Sequence, residues 1–463
     1  MEAAARTNQN VGVTSWLPLF QNLKDKAAKL GKKLKKIGKE DPRRILHSFK
    51  AGLAISLISI FYYVNPLFTS LGSSSTMWAV LTVVVVMEFT AGGTLSKGLN
   101  RTFATLLAGA LGLAAQRLAA LSSHSAGEPI LLSVFVFLLD IAAAMATFSR
   151  FVPEIKARYD YGVTIFILTF SMVAVSGYRE EELIKLALQR LSTIAIGVAT
   201  CVAISIFVFP VWAGEDLHNL LPANIDKLAC FLEFKGLERE YFGEKMGSGQ
   251  ILEEASFLIS TYKPVLNSKP TEDLLANFAR WEPGHGCFGF CHPWKLYLKI
   301  GALTRQCAYS MEAISSHIST SKNSKKYVQV ITDTEFKERI RIACAEMSSE
   351  TGKALAELAT AIRQMRTPST AVAQHLSNAT TASESLKTLS PAKDASLPEI
   401  LQSATTAFLL SAVVKSAHHL ATAVEELSRV AHFKRQDQAH KDSAVKPVAG
   451  GESPPHVVVE IEK

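Results

Sequence analysis

Cysteine is scarce in this chain. Six occur in 463 residues, at positions 201, 230, 287, 291, 307 and 344, with no regular framework spacing. Cys201 falls inside an apolar run, so reduced thiols are expected rather than a disulfide scaffold. Catalytic signatures are also missing: there is no Walker phosphate loop, Gly-x-Ser-x-Gly elbow or His-Glu-x-x-His. The residues therefore give no case for an enzyme, an ATP-driven pump or a cofactor. No long apolar run precedes Ala51, which argues against a secretory signal. Nor is there excess charge beyond residue 50, where 37 Lys/Arg face 37 Asp/Glu. The net charge of +8 is carried by the first fifty residues, with twelve Lys/Arg against four Asp/Glu. Basicity confined to one arm gives no reason to expect a nucleic-acid partner.

What is abundant is apolar sequence in the first half. A spanning helix needs about 20 mostly apolar residues, and six runs approach that length: 51–68, 77–93, 102–121, 130–148, 161–178 and 191–212. The third run spaces Ala108, Gly109, Gly112 and Ala115 for close helix packing. Links rich in Lys and Arg mark the cytosolic side. The N-terminal arm, Lys97 with Arg101, and Arg150 with Lys156 and Arg158 all fall on one side, while the link 69–76 is uncharged. Both termini are therefore expected in the cytosol. After Trp212 the chain turns mixed and helix-periodic, and from Lys434 it is polar, with Pro454 and Pro455.

The expected fold class is all-α: a membrane domain of six transmembrane helices followed by a cytosolic helical bundle. The expected divisions are a basic arm (1–50), a six-helix channel domain (51–212), a cytosolic helical domain (213–433) and a disordered tail (434–463). Within the arm, Ala27, Leu30, Leu34 and Ile37 share one helical face, and eight lysines between Lys24 and Lys39 occupy most of the rest. Such a helix suits an anionic inner leaflet, and equally a solvated element that only sets topology.

Charges beside apolar runs are candidate functional residues. Lys97 and Arg101 are four apart on one helical face, Arg190 opens the sixth run, and Lys185 precedes it by about a turn and a half. These cations read either as an anion-lined pore or as boundary residues whose heads reach the interface. Spacing alone leaves both open. Glu88 and Asp140 fall inside the second and fourth runs and are expected to pair with basic groups. His285, Cys287, Cys291 and His292 cluster within eight residues, but their spacing matches no standard zinc site, so no metal is expected.

Several motifs together resemble one family. They are Glu40-Asp41-Pro42-Arg43-Arg44, Trp78-Ala79-Val80 leading into Val83 to Glu88, Lys97-Gly98-Leu99-Asn100-Arg101, Tyr159-Asp160-Tyr161-Gly162-Val163, Phe209 to His218, and Trp281-Glu282-Pro283 continuing through His292-Pro293-Trp294. From about residue 40 to 433 the chain resembles the plant aluminium-activated malate transporter family. That resemblance implies a dimeric, gated anion channel passing malate and inorganic anions. It also implies that Lys97, Arg101, Arg190 and Lys185 face the pore. Glu181 and Glu182 fall where aluminium-sensitive members carry acidic residues, as hard oxygen ligands for a trivalent cation or as plain solvated surface. The expected location is the plasma membrane, with the vacuolar membrane as alternative. The competing activity is a secondary transporter or exporter of carboxylic or aromatic acids.

Overall fold

The computed structural model describes residues 17–63, 73–121, 128–175, 180–233, 260–289, 292–325, 334–388 and 397–435. Its elements are helices α1 (Leu17–Glu40), α2 (Pro42–Tyr63), α3 (Ser73–Val86), α4 (Ala91–Leu121), α5 (Glu128–Ser149), α6 (Pro153–Val175) and α7 (Glu180–Phe207). There follow α8 (Ala213–Glu233), α9 (Lys269–Ala279), α10 (Trp294–Lys325), α11 (Thr334–Arg363), α12 (Thr370–Thr388) and α13 (Leu397–Val430). Among the described residues there is no strand, only two isolated bridges, as the all-α expectation requires. The chain forms two compact units. The first is Met1–Ala213 with Asn277–Pro283; the second is Gly214–Ala276 with Gly284–Lys463.

In the first unit local chemistry sets the helix ends. Asp41 caps α2, its carboxylate accepting the Arg43 N–H at 3.1 Å, and Pro42 occupies the first helical position. The expected second run does not form one helix. α3 stops at Val86, residues 87–90 break the chain, and α4 begins at Ala91. Two threonines explain the break. The Thr90 hydroxyl accepts the Gly93 N–H at 3.1 Å as an N-cap, and the Thr94 hydroxyl accepts the Glu88 N–H at 3.0 Å. Glu88, expected inside the second run, thus sits in the break between the two helices.

The core of this unit joins α2, α3 and α7 through Ala54, Ile58, Ala79, Val83, Val86, Ile194, Val198, Cys201 and Ile204. Two glycines permit the close approach. A Cβ at Gly98 of α4 would lie 2.6 Å from the Val198 side chain of α7, and one at Gly197 would lie 3.0 Å from Thr82 of α3. α4 also packs on α6, where Gly162 faces Asn100, and the Asn100 side chain donates to the Arg158 carbonyl at 3.3 Å. α5 and α6 form a hairpin pinned by Arg150, whose Nε donates to Asp160 at 2.7 Å and whose Nη2 does so at 3.1 Å.

Two described stretches are long and apolar enough to cross a membrane: Leu188–Phe207 in α7 and Ala404–Val430 in α13. The second belongs to the other unit, where Val413, Ala417, Leu420, Val424 and Leu427 are buried and α13 packs on α10. A core helix rich in Ala and Leu passes the same length and composition test. The first and fifth expected runs extend past 63 and 175, outside the described residues.

In the second unit α8 buries Leu217, Leu221, Ile225, Leu228 and Phe231. It meets α11 where Ser348 donates to the Leu232 carbonyl at 2.7 Å and Asp226 accepts from Arg363. Glu272, 1% exposed, pairs with Arg305. Gly284, Gly286 and Gly289 have the spacing of a dinucleotide loop, but among the described residues the element before them is the helix α9, not a strand. Instead His285 and Phe288 exchange backbone bonds at 3.0 and 2.9 Å in a tight hairpin, with Gly286 at φ 54°. Among the described residues no three His, Cys, Asp or Glu side chains group for a metal. Cys291 lies outside them.

The Tyr297 hydroxyl is shared by His218 Nδ1 at 3.0 Å and His292 Nε2 at 3.2 Å. Burial lowers both imidazoles, that of His292 to about 4 with the His218 ring adding to it. A group whose folded pKa lies below its unfolded value stays neutral in the fold while the unfolded chain takes up the proton. Stability is therefore complete above pH 6.5 and falls as pH drops from about 6.5 towards 4. The thermal midpoint of the full-length protein is expected to fall over that window. In a His218→Gln/His292→Gln double variant the fall is shallower. A Gly98→Leu variant is expected to lose about 1–3 kcal/mol through overpacking against Val198, measured as a lower thermal midpoint in detergent.

Candidate anion site

The candidate site lies on four helices, with its cations on α4 and α7 and their aromatic partners on α3 and α6. Lys97 and Arg101 lie one turn apart in α4, while Arg190 lies in α7 beside Trp78 of α3. Each cation has a different partner. The Lys97 ammonium is ion-paired with Glu88, answering the question of that carboxylate's partner. It also stands over the Tyr161 ring at 5.7 Å. Arg101 is 5% exposed, and its Nη1 donates to the Tyr161 hydroxyl at 3.2 Å. The Arg190 guanidinium stacks over the Trp78 ring, 3.9 Å from its centroid.

Arg101 and Arg190 lie close enough to act on each other electrostatically. The Nε of each is buried and has no hydrogen-bond partner. Two like charges are thus brought together, each with a buried donor left unused. Aromatic faces attract a cation by about 0.5–2 kcal/mol without neutralising it. A carboxylate partner would cancel the charge an anion needs.

The arrangement brings together Lys97, Arg101 and Arg190. Lys185, Glu181 and Glu182 lie on α7, but their side chains fall outside the described residues, as does that of Asp140. Trp78 and Tyr161 stand in the quoted motifs, but nothing in the sequence marks them as partners of the arginines. Each is one aromatic near the end of an apolar run, and only the packing of α3 on α7 and α6 on α4 makes them partners of the arginines.

Comparison with known proteins points to one family. The family model described as "Aluminium activated malate transporter" matches residues 35–390. The chain is 48% identical over 445 residues to aluminum-activated malate transporter 1 of Triticum aestivum, covering 95% of this chain and 94% of that protein. It is 46% identical over 425 residues to aluminum-activated malate transporter 2 of Arabidopsis thaliana, covering 91% and 81%. The transporter numbered 7 of the same plant is 42% identical over 440 residues, covering 89% and 84%. These relatives are named as transporters, not enzymes.

An anion that binds the folded protein stabilises it by mass action, by about 2.7 kcal/mol at a hundredfold excess over its Kd. Sulfate or malate is expected to raise the thermal midpoint of the detergent-solubilised protein in a saturable way. Arg101→Met/Arg190→Met is expected to abolish that rise. A rise of equal size in the double variant would place the binding elsewhere.

Proposed function

This chain belongs to the aluminium-activated malate transporter family, and from that membership we propose that it is a gated anion channel passing malate and other small anions across the plasma membrane. The observation that carries the reading is the Arg101–Arg190 pair, two neighbouring guanidiniums with unused donors and aromatic rather than acidic partners. In the proposed assembly six helices per subunit cross the bilayer, two subunits associate, and both termini face the cytosol. The second unit then lies on the cytosolic side as the regulatory part. External aluminium, with Glu181 and Glu182 as its ligands, or malate itself opens the channel.

The energetics favour passive release. A divalent anion leaving a cell across about 100 mV gains roughly 4.6 kcal/mol, at about 2.3 per charge. No further energy source is needed. Lys185 joins Lys97, Arg101 and Arg190 as a pore cation in this reading. Conduction requires that the anion be attracted but not held. Lys97, already neutralised by Glu88, holds an anion less tightly than a third free cation would.

The competing reading is a secondary carrier of carboxylic or aromatic acids, and patch-clamp recording with internal malate separates the two. Currents reversing near the malate equilibrium potential support the channel, whereas electrically silent, proton-coupled uptake sinks it. Arg190→Ala is expected to cut malate conductance about tenfold or more, as loss of roughly 1.4 kcal/mol or more of anion stabilisation. Lys97→Ala is expected to act in the same direction but less, because its charge is already shared with Glu88. If conductance and anion selectivity survive both substitutions at normal surface expression, the pore assignment is wrong.

A further inference from the structure

Residues 277–283 belong with the helices of the first unit, although the chain on either side belongs to the second. Two turn bonds shape the segment: the Trp281 N–H donates to the Phe278 carbonyl at 2.9 Å, and the Glu282 N–H to the Ala279 carbonyl at 3.3 Å. The Glu282 side chain, 8% exposed, then reaches two helix starts at once. Its Oε1 accepts the Ala213 N–H at 2.6 Å and the Gly92 N–H at 3.3 Å. Those amides lie in the first turns of α8 and α4, where backbone N–H groups lack intrahelical acceptors and negative charge is favoured. Shape reinforces the bonds. A Cβ at Gly92 would collide with the Phe278 carbonyl and approach the Glu282 side chain to 2.7 Å, and one at Gly93 would lie 3.2 Å from the Phe278 ring.

This seating fixes Arg280, in the middle of the segment. Its side chain is exposed, and the charge that acts on it is another cation, Arg158, at the start of α6. Partial burial and that like charge both lower its guanidinium. Among the described residues neither arginine is paired with a carboxylate. Arg158 is itself held in register with α4, because its carbonyl accepts from Asn100, the neighbour of Arg101. Both arginines thus belong to segments tied to α4, Arg280 through Glu282 at the Gly92 N–H and Arg158 through its carbonyl at Asn100, although these segments are more than a hundred residues apart in sequence.

We propose that Arg280, together with Arg158, recruits anions at the cytosolic mouth of the conduit, and that Glu282 is the positioning residue that seats it there. The inference rests on the conduit reading above. An outer pair of cations raises the local concentration of a dianion without binding it deeply, and salt screens the effect.

The test uses the full-length protein in excised inside-out patches, with malate as the bath anion. At low ionic strength Arg280→Glu is expected to lower unitary malate conductance by about threefold or more. The deficit shrinks towards nothing near 1 M salt, where the Debye length is about 3 Å. Arg280→Lys keeps the wild-type value. Arg280→Cys lowers conductance, and a cationic thiol reagent restores it, a rescue that a merely structural role would not produce. Glu282→Ala lowers conductance as Arg280→Ala does, and the two together cost no more than either alone. Unchanged conductance in Arg280→Glu at low ionic strength, with Arg190→Ala still defective, overturns the inference and leaves the conduit intact. Absence of any malate current in the wild-type protein overturns the conduit reading and this inference with it.

Discussion

A buried guanidinium without a carboxylate is the constraint on which the first unit is built. Taking a cation out of water costs several kcal/mol unless something replaces its hydration, and the usual replacement, an acid, would abolish any attraction for anions. Here the replacements are the Tyr161 hydroxyl for Arg101 and the Trp78 ring for Arg190. Both lower the cost of burial while leaving the charge unsatisfied. Because an aromatic group works only at short range, the helices carrying these residues must approach closely. Gly98, Gly197 and Gly162 lie at the contacts where α4, α7, α3 and α6 do so. Small residues at these contacts and uncompensated charge beside them are thus two sides of one design.

Helix ends matter as much as helix faces. Where α4 starts decides which way Lys97 and Arg101 point, and that start is set by Thr90, Thr94 and Glu282 acting on backbone amides. Glu282 serves α8 as well as α4, so the exit from α7 and the entry to α4 are tied to one carboxylate. The Ala91 N–H donating to the Val211 carbonyl at 2.9 Å adds a direct backbone tie between the same two places. A mixed environment results: Lys97 is neutralised by Glu88 in the break before α4, and Arg101, one turn further on, is not.

The helical character of the chain could be read from apolar periodicity, and the cations from their position beside apolar runs. Lys97, Arg101 and Arg190 are conspicuous because charge in such surroundings is costly. The break at 87–90 was hidden, because Met87, Phe89 and Ala91 continue the apolar run while hydroxyl caps, not Gly or Pro, end the helix. Arg280 was hidden for another reason. It lies in a mixed polar stretch where an exposed arginine is ordinary, and nothing local shows that Glu282 seats that stretch at the start of α4. Glu282 was visible only as part of a motif. Its spacing carries no hint that it would bond to Gly92 and Ala213, 190 and 69 residues away.

Like the first unit, with its Arg150–Asp160 and Lys97–Glu88 pairs, the second unit matches opposite charges. There Glu272 is matched to Arg305, Asp226 to Arg363 and Glu426 to Lys299 at 2.6 Å. Glu350 is drawn down to about 2 by His375, and then by Lys353 and Asn378. These charges meet opposite charges, and the His218 and His292 imidazoles share the Tyr297 phenol as neutral rings. One chain therefore treats the same residue types in two ways. Arginine is paired with a carboxylate at Arg150, Arg305 and Arg363, whereas among the described residues Arg101 and Arg190 have aromatic partners instead. Folding stability alone would favour pairing in both. At Arg101 and Arg190 the departure leaves buried donors unused, and in the proposed channel an anion supplies the missing interaction.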